Sequence, residues 1–134
     1  MENILRKEKA CGCVIIDDEK VLLIKQTKGH WGLPKGHVEE NETEIETAIR
    51  EVKEETNYDV EIISDKRFVE RYVIDSKIDK EVVYFIAKKV GGTAEKQETE
   101  VTDIKWCNFD EAIETVTFDN LKNLLRNVFE EIKK

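Results

Sequence analysis

In "AIREVKEETN", residues 48–57, Glu51, Glu54 and Glu55 gather around Arg50. Two carboxylates at i and i+4 on a helix can hold a hard divalent cation. Mg²⁺ and Mn²⁺ prefer oxygen ligands, keep several waters, and take one or two carboxylates together with substrate phosphates. The same residues can equally form a solvated helix face in a chain of which 39% is charged. A like-charge pair at that spacing costs only about 0.2–0.5 kcal/mol, so water tolerates it.

The helix that carries these residues has a start signal in "TEIE", Thr43 to Glu46, which fits a capping box. Ile45, Ala48, Ile49 and Val52 fall at i, i+3, i+4 and i+7, predicting one apolar stripe. With Ile45 at the centre of the buried face and about 100° per residue, Glu51 and Glu55 lie within roughly 40° of one another at one margin of the stripe. Arg50 and Glu54 form a separate i, i+4 pair on the far side, which leaves two glutamates without a cation.

The rest of the chain reads as strands and two more helices. "KACGCVIID" and "KVLLIKQT" alternate with period two around the turn "DDEK", with Cys11 and Cys13 on one face. "WGLPKGHV" follows; Pro34 restricts Leu33 to extended geometry, and Gly36 offers a backbone that a ligand can approach closely. After the glutamate helix, "DVEIISD", "RFVERYVID" and "KEVVYFIAKKV" read as strands, the last two a hairpin joined through "SKID". "EVVYFIA" is apolar on both faces and belongs in the centre of the sheet. Gly91 and Gly92 open a polar loop to Glu100, "DIKWCNF" is a final strand, and "DEAIETV" is a short helix. Thr117 is expected to cap a last helix with Leu121, Leu124, Leu125, Val128 and Phe129 inward. The fold class is α/β, an α/β/α sandwich with a mixed, largely antiparallel sheet between helices.

At 134 residues the length predicts one domain over residues 1–134. No run is long and apolar enough for a membrane span, and "MENILRKEKA" lacks the apolar core of a signal peptide, so a cytoplasmic location is expected. Cys11, Cys13 and Cys107 are odd in number and lack a second ligand pair, which favours buried free thiols over disulfides or zinc. A net charge of −8 speaks against extended nucleic acid or anionic membrane binding.

From Gly36 the chain runs five residues to Glu42, seven more to Arg50-Glu51, then Val52, Lys53, Glu54-Glu55, Thr56, Asn57 and Tyr58. This resembles the Nudix box at its six fixed positions, with loop–helix–loop context to match. Asn57 stands where the pattern has glycine, and asparagine is the next-best residue for a left-handed helix stop. Tyr58 replaces an aliphatic residue, which alters packing.

The resemblance implies a hydrolase of nucleoside diphosphates linked to another group, by water attack at phosphorus with Mg²⁺ or Mn²⁺. It makes Glu51, Glu55 and the Gly36 carbonyl metal ligands and Arg50 with Glu54 an orienting salt bridge; the role of Glu42 varies within the family. "WGLPKGHVE" is similar to the sequence opening the box of the asymmetrical diadenosine tetraphosphate hydrolases, and the likeness extends over most of the chain. That subfamily implies substrate contacts at His30, Trp31, Lys35, His37, Lys80, Tyr84 and Phe118, and an out-of-box carboxylate, ligand or base, at Glu100. Glu98 competes for that place.

Other readings stay open for several of these. Lys80 can be an edge-strand solubiliser. His30 and His37 can be surface histidines, Trp31 can cover the core, and Tyr84 can be core on one face of its strand. Trp106 reads as structural.

The leading function is Mg²⁺-dependent asymmetrical cleavage of diadenosine tetraphosphate to ATP and AMP. The alternatives are pyrophosphohydrolysis of nucleoside triphosphates or RNA 5′-triphosphate ends, and a nucleotide-sensing module without turnover. The expected partner is a small nucleotide; monomer and homodimer stay open.

Overall fold

The computed structural model describes residues 5–95 and 100–134. Strands β1 (Arg6–Asp17) and β2 (Lys20–Gln26) form an antiparallel hairpin in which Asp17 faces Lys20. Asp18 and Glu19 both take positive φ, 51° and 61°, as a two-residue turn matched to strand twist requires. The "WGLPKGHV" segment, expected to be extended at Leu33, joins the sheet on both sides of that residue. It contributes two short strands, β3 (Trp31–Gly32) against β2 and β4 (Lys35–His37) against β1.

Helix α1 (Glu44–Thr56) starts at the capping box: Thr43 Oγ1 accepts from the Glu46 amide, and Glu46 Oε1 accepts from the Thr43 amide. It stops at Asn57, left-handed at φ 66°, whose amide donates to the Lys53 carbonyl.

β5 (Asp59–Ile62), β6 (Phe68–Ile74) and β7 (Ile78–Gly91) follow. The β6–β7 hairpin turns on Asp75, Ser76 and Lys77, so β7 begins at Ile78, inside the segment expected to be the connection. β8 (Val101–Asn108), α2 (Phe109–Thr115) and α3 (Asp119–Ile132) complete the order.

Among the described residues the strands make one eight-stranded sheet, with the path β3-β2-β1-β7-β5 and with β4 on β1, β6 on β7 and β8 on β2. Among the described residues only the long β1–β7 pairing is parallel. Alternation divides these two strands between two cores. Cys11, Cys13, Ile15, Val83, Phe85 and Ala87 face α1, while Ala10, Val14, Val82, Tyr84 and Ile86 face α3. The result is an α/β/α sandwich with helices on both faces of a mixed sheet. All three cysteines are buried free thiols, Cys107 on the α3 side.

Two expectations need correction. Thr117 does not cap α3: Phe118 holds the cap position and makes no side-chain cap bond. Thr117 instead exchanges two bonds with Trp31, accepting at Oγ1 from its amide at 2.9 Å and donating its own amide to the Trp31 carbonyl at 3.1 Å. Helix α1 is also turned by roughly 50° from the expected stripe at 100° per residue. Thr47, Ala48, Val52, Glu55 and Thr56 are buried, while Ile45 and Ile49 stay 38% and 37% exposed at the rim.

Strand β4 can lie on β1 because Gly12 has no side chain. A Cβ there would stand 2.1 Å from the Pro34 carbonyl oxygen, which accepts from the Cys13 amide. Gly12→Ala is expected to cost about 2–3 kcal/mol by overpacking, or roughly 6–15 °C in Tm, read by thermal denaturation.

Candidate active site

The rotation of α1 brings Glu51 and Glu55 against β4. Glu55 is 4% exposed, and its Oε1 accepts from the Lys35 amide at 2.8 Å. Burial pushes its carboxyl up to about 8, against the pull of the Lys35 amide, with the charges of Glu51 and Glu100 adding to the rise. Glu51 occupies the space over Gly36, where a Cβ would lie 2.0 Å from its Cδ. Its Oε2 is buried without a hydrogen-bond partner. Arg50 Nη1 stands 3.6 Å away, an ion-pair contact beyond hydrogen-bond reach. Burial, then Glu54 and Glu100, raise the Glu51 carboxyl.

Arg50 does more than pair with Glu54. Its Nε donates to Glu42 Oε2 at 2.6 Å and its Nη2 to Glu42 Oε1 at 3.0 Å, a bidentate pair, while Nη1 reaches Glu54 Oε1 at 3.0 Å. Nη2 also donates to the His37 carbonyl at 3.0 Å. Thr47 Oγ1 adds a 2.7 Å bond to Glu42. Glu42 is thus the principal partner of Arg50, and the guanidinium ties the preceding loop, β4 and α1 into one unit.

These donors fit a hard divalent cation. An orphaned buried carboxylate oxygen, a second buried carboxylate and a glycine that leaves room for the first are what such a site requires. Among the described residues no group of three or more His, Cys, Asp or Glu side chains is gathered at ligand spacing, so the pair would rely on backbone carbonyl, water and substrate oxygens. Glu100 is exposed, yet its charge reaches both Glu51 and Glu55. Glu98 lies outside the described residues.

On the α3 side of the sheet a cavity of about 520 Å³ opens between β6, β7 and the start of α3. His30, Trp31, Lys35, Tyr84 and Phe118 all line it. Tyr84 is both core and lining, at 1% exposure. Phe118 is exposed and meets the His30 ring edge-on at 4.8 Å between centroids. Lys35 is the link: its amide holds Glu55 and its side chain enters the cavity.

Two expected contacts do not line the cavity. The exposed His37 ring pairs with Glu8 at 3.1 Å: it shares the face of Lys35, but two residues further along β4, opposite Ala10, it has passed the end of the cavity. Lys80 is on no edge: it is buried on β7 between β1 and β6, opposite Glu8 and Tyr72. Burial and then the charge of Lys35 lower its pKa, so the two lysines share one cationic region.

Sequence reasoning missed Glu70 and Tyr72, which also line the cavity. Their signal is the alternation of "FVERYVI", in which Phe68, Glu70 and Tyr72 share one face of β6. A carboxylate on an apolar strand face is the anomaly to look for.

The NUDIX domain model matches residues 6–131. The chain belongs to the NUDIX family. It is 32% identical over 134 residues to the asymmetrical bis(5′-nucleosyl)-tetraphosphatase of Sus scrofa, covering 88% of this chain and 90% of that one. The structure of a C. elegans Ap4A hydrolase binary complex superposes with a TM-score of 0.83 at 31% identity, covering 94% and 98% of the two chains. The m7GpppN-mRNA hydrolase of Saccharomyces cerevisiae is 32% identical over 110 residues, 81% of this chain but 11% of that protein. The protein is therefore a Nudix pyrophosphohydrolase, of a family that acts on small nucleotides and generally uses divalent cations. No helix among the described residues is long and apolar enough to cross a membrane.

The Arg50 clamp makes stability depend on acid. Arg50, then Thr47, hold the Glu42 carboxyl down to about 2, below its ordinary 4.5. A depressed folded-state pKa contributes stability that is whole above about pH 4.5 and is lost as pH falls toward 2. In thermal melts, wild type is expected to exceed Glu42→Gln in Tm at neutral pH, with the gap closing through that window.

Proposed function

We propose that this chain acts as a single Nudix domain, over residues 1–134, that hydrolyses a dinucleoside polyphosphate asymmetrically, with diadenosine tetraphosphate giving ATP and AMP. The observation that carries the reading is Lys35, whose backbone holds the buried carboxylate and whose side chain lines the aromatic cavity. Phosphate chemistry and nucleoside recognition thus adjoin. The relatives that cleave bis(5′-nucleosyl) tetraphosphates support the substrate class.

Glu51, Glu55 and the Gly36 carbonyl would hold Mg²⁺, or Mn²⁺ in its place, with Glu100 as further ligand or base. When bound, the cation supplies charge neutralisation and an activated water for attack at phosphorus. Lys35 contributes a cation to the polyphosphate, with Lys80 adding field from beneath. Arg50, braced by Glu42 and Glu54, keeps β4 and α1 in register and so fixes where Lys35 and Gly36 stand. Trp31 and Phe118 offer ring faces and edges to a nucleoside, over a floor that includes Tyr84. His30 meets Phe118 at the cavity wall.

A second reading, removal of pyrophosphate from a nucleoside triphosphate or an RNA 5′ end, draws on the likeness to the yeast mRNA hydrolase. The net charge of −8 weighs against an extended RNA groove.

Chromatography of products after incubation with Mg²⁺ separates the two. ATP and AMP from diadenosine tetraphosphate, with nucleoside triphosphates largely intact, is the expected result; an untouched dinucleotide beside triphosphates cut to monophosphates would establish the second reading instead. Glu55→Gln is expected to lower turnover by more than about 100-fold, beyond the loss typical of outer-shell partners of a metal site, with an unchanged circular dichroism spectrum. Near-normal turnover would remove Glu55 from the chemistry.

A further inference from the structure

The proposed phosphate chemistry uses Lys35, Glu51 and Glu55 and leaves one half-buried carboxylate of the cavity without a task. Glu70 sits on the inward face of β6 between Phe68 and Tyr72. It lines the aromatic cavity and also an adjoining open groove of about 290 Å³, and the two share Asn120 as well. Its Oε2 is buried with no hydrogen-bond partner. Arg71, its neighbour in sequence, points to the opposite face and pairs with Asp79 at 3.3 Å and Glu81 at 3.7 Å. Burial raises the Glu70 carboxyl, and the charge of Lys35 opposes that rise without closing an ion pair.

Buried polar atoms are nearly always satisfied, so an orphan of this kind requires an explanation. An ionised carboxylate only accepts, and it accepts two parallel bonds well. A residue kept for the fold alone would be more stable as an apolar side chain here, among Phe68, Tyr72 and Leu124. The orphaned Oε2 lacks a donor, and the cavity that Glu70 lines is where a ligand can bring one, with a second for the neighbouring oxygen.

We propose that Glu70 is a specificity-determining residue whose carboxylate takes two adjacent hydrogen-bond donors of the nucleoside held in the aromatic cavity. This rests on the reading of that cavity as the nucleoside site. Two parts of a nucleoside present such a pair, the N1–H and 2-amino edge of a guanine-type base and the 2′,3′-diol of ribose. Adenine presents one amino donor beside a ring acceptor and matches a carboxylate less well.

The test is calorimetric titration of wild type, Glu70→Gln and Glu70→Leu with GDP, ADP and their 2′,3′-dideoxy forms, all with Mg²⁺, beside melting curves of the unliganded proteins. Both variants are expected to lose about tenfold or more in affinity for a ligand that supplies the pair. Loss confined to guanine nucleotides assigns the base edge. Loss for GDP and ADP but for neither dideoxy form assigns the diol. Unliganded Glu70→Leu is expected to melt no lower than wild type, since a desolvated carboxylate has been removed.

Equal affinities across the three proteins for all four ligands would overturn the proposal. So would a loss matched by a fall in Tm, which marks a structural role. If the protein hydrolyses neither dinucleotides nor triphosphates yet binds nucleotides in a Glu70-dependent way, the hydrolytic reading falls and this one stands. Wild type that binds none of the four overturns this proposal as well.

Discussion

Two carboxylates, Glu55 buried and Glu51 with one oxygen buried, lie beneath a three-residue strand, and the rest of the molecule is arranged around that constraint. Removing an unpaired carboxylate from water is costly, and neither oxygen pair is fully repaid by protein donors. The segment from Pro34 to Gly36 is held so closely that no Cβ fits on the β1 side at Gly12 or on the α1 side at Gly36. The two glycines serve opposite faces of one strand. The Arg50 guanidinium, gripping Glu42, Glu54 and the His37 carbonyl, locks that strand against the helix.

The same arrangement answers how a chain with net charge −8 can receive a polyanion. The acidic residues are not spread evenly over the site. Glu42 and Glu54 share the Arg50 guanidinium, and Glu51 and Glu55 sit where a divalent cation would offset their charge. Lys35 and Lys80 place two positive charges on the cavity side, with Lys80 partly desolvated, which strengthens its field. Local sign therefore departs from global sign.

Much of this was legible in the sequence, for stated physical reasons. The capping box, the left-handed Asn57 stop, the inward stripe of α3 and the two-faced burial of β7 follow from periodicity and terminal chemistry, and the structure bears them out. The Nudix spacing by itself marks α1 and the family. The rotation of α1 was not legible. Apolar count favours Ile45 and Ile49, whereas the structure turns them to the rim to seat Glu51 and Glu55, and a wheel has no means of weighing a glutamate as a buried residue. Thr117 was misassigned because a hydroxyl before a helix reads as a cap, while its tertiary partner Trp31 is 86 residues away. Lys80 was open to an edge-strand reading because strand order is invisible in sequence. Glu70 was passed over because a lone charged residue in a strand reads as solvent-facing until register is known.

The most direct test of the central claim, that burial of Glu51 and Glu55 serves a divalent cation, is a Mn²⁺ titration followed by electron paramagnetic resonance, with Tm measured beside it. Wild type is expected to take up Mn²⁺ and to melt higher with it than in chelator, as a ligand confined to the folded state requires, while Glu51→Gln/Glu55→Gln folds but does neither. Mn²⁺ remaining free in solution, with identical melting curves with and without cation, would contradict it.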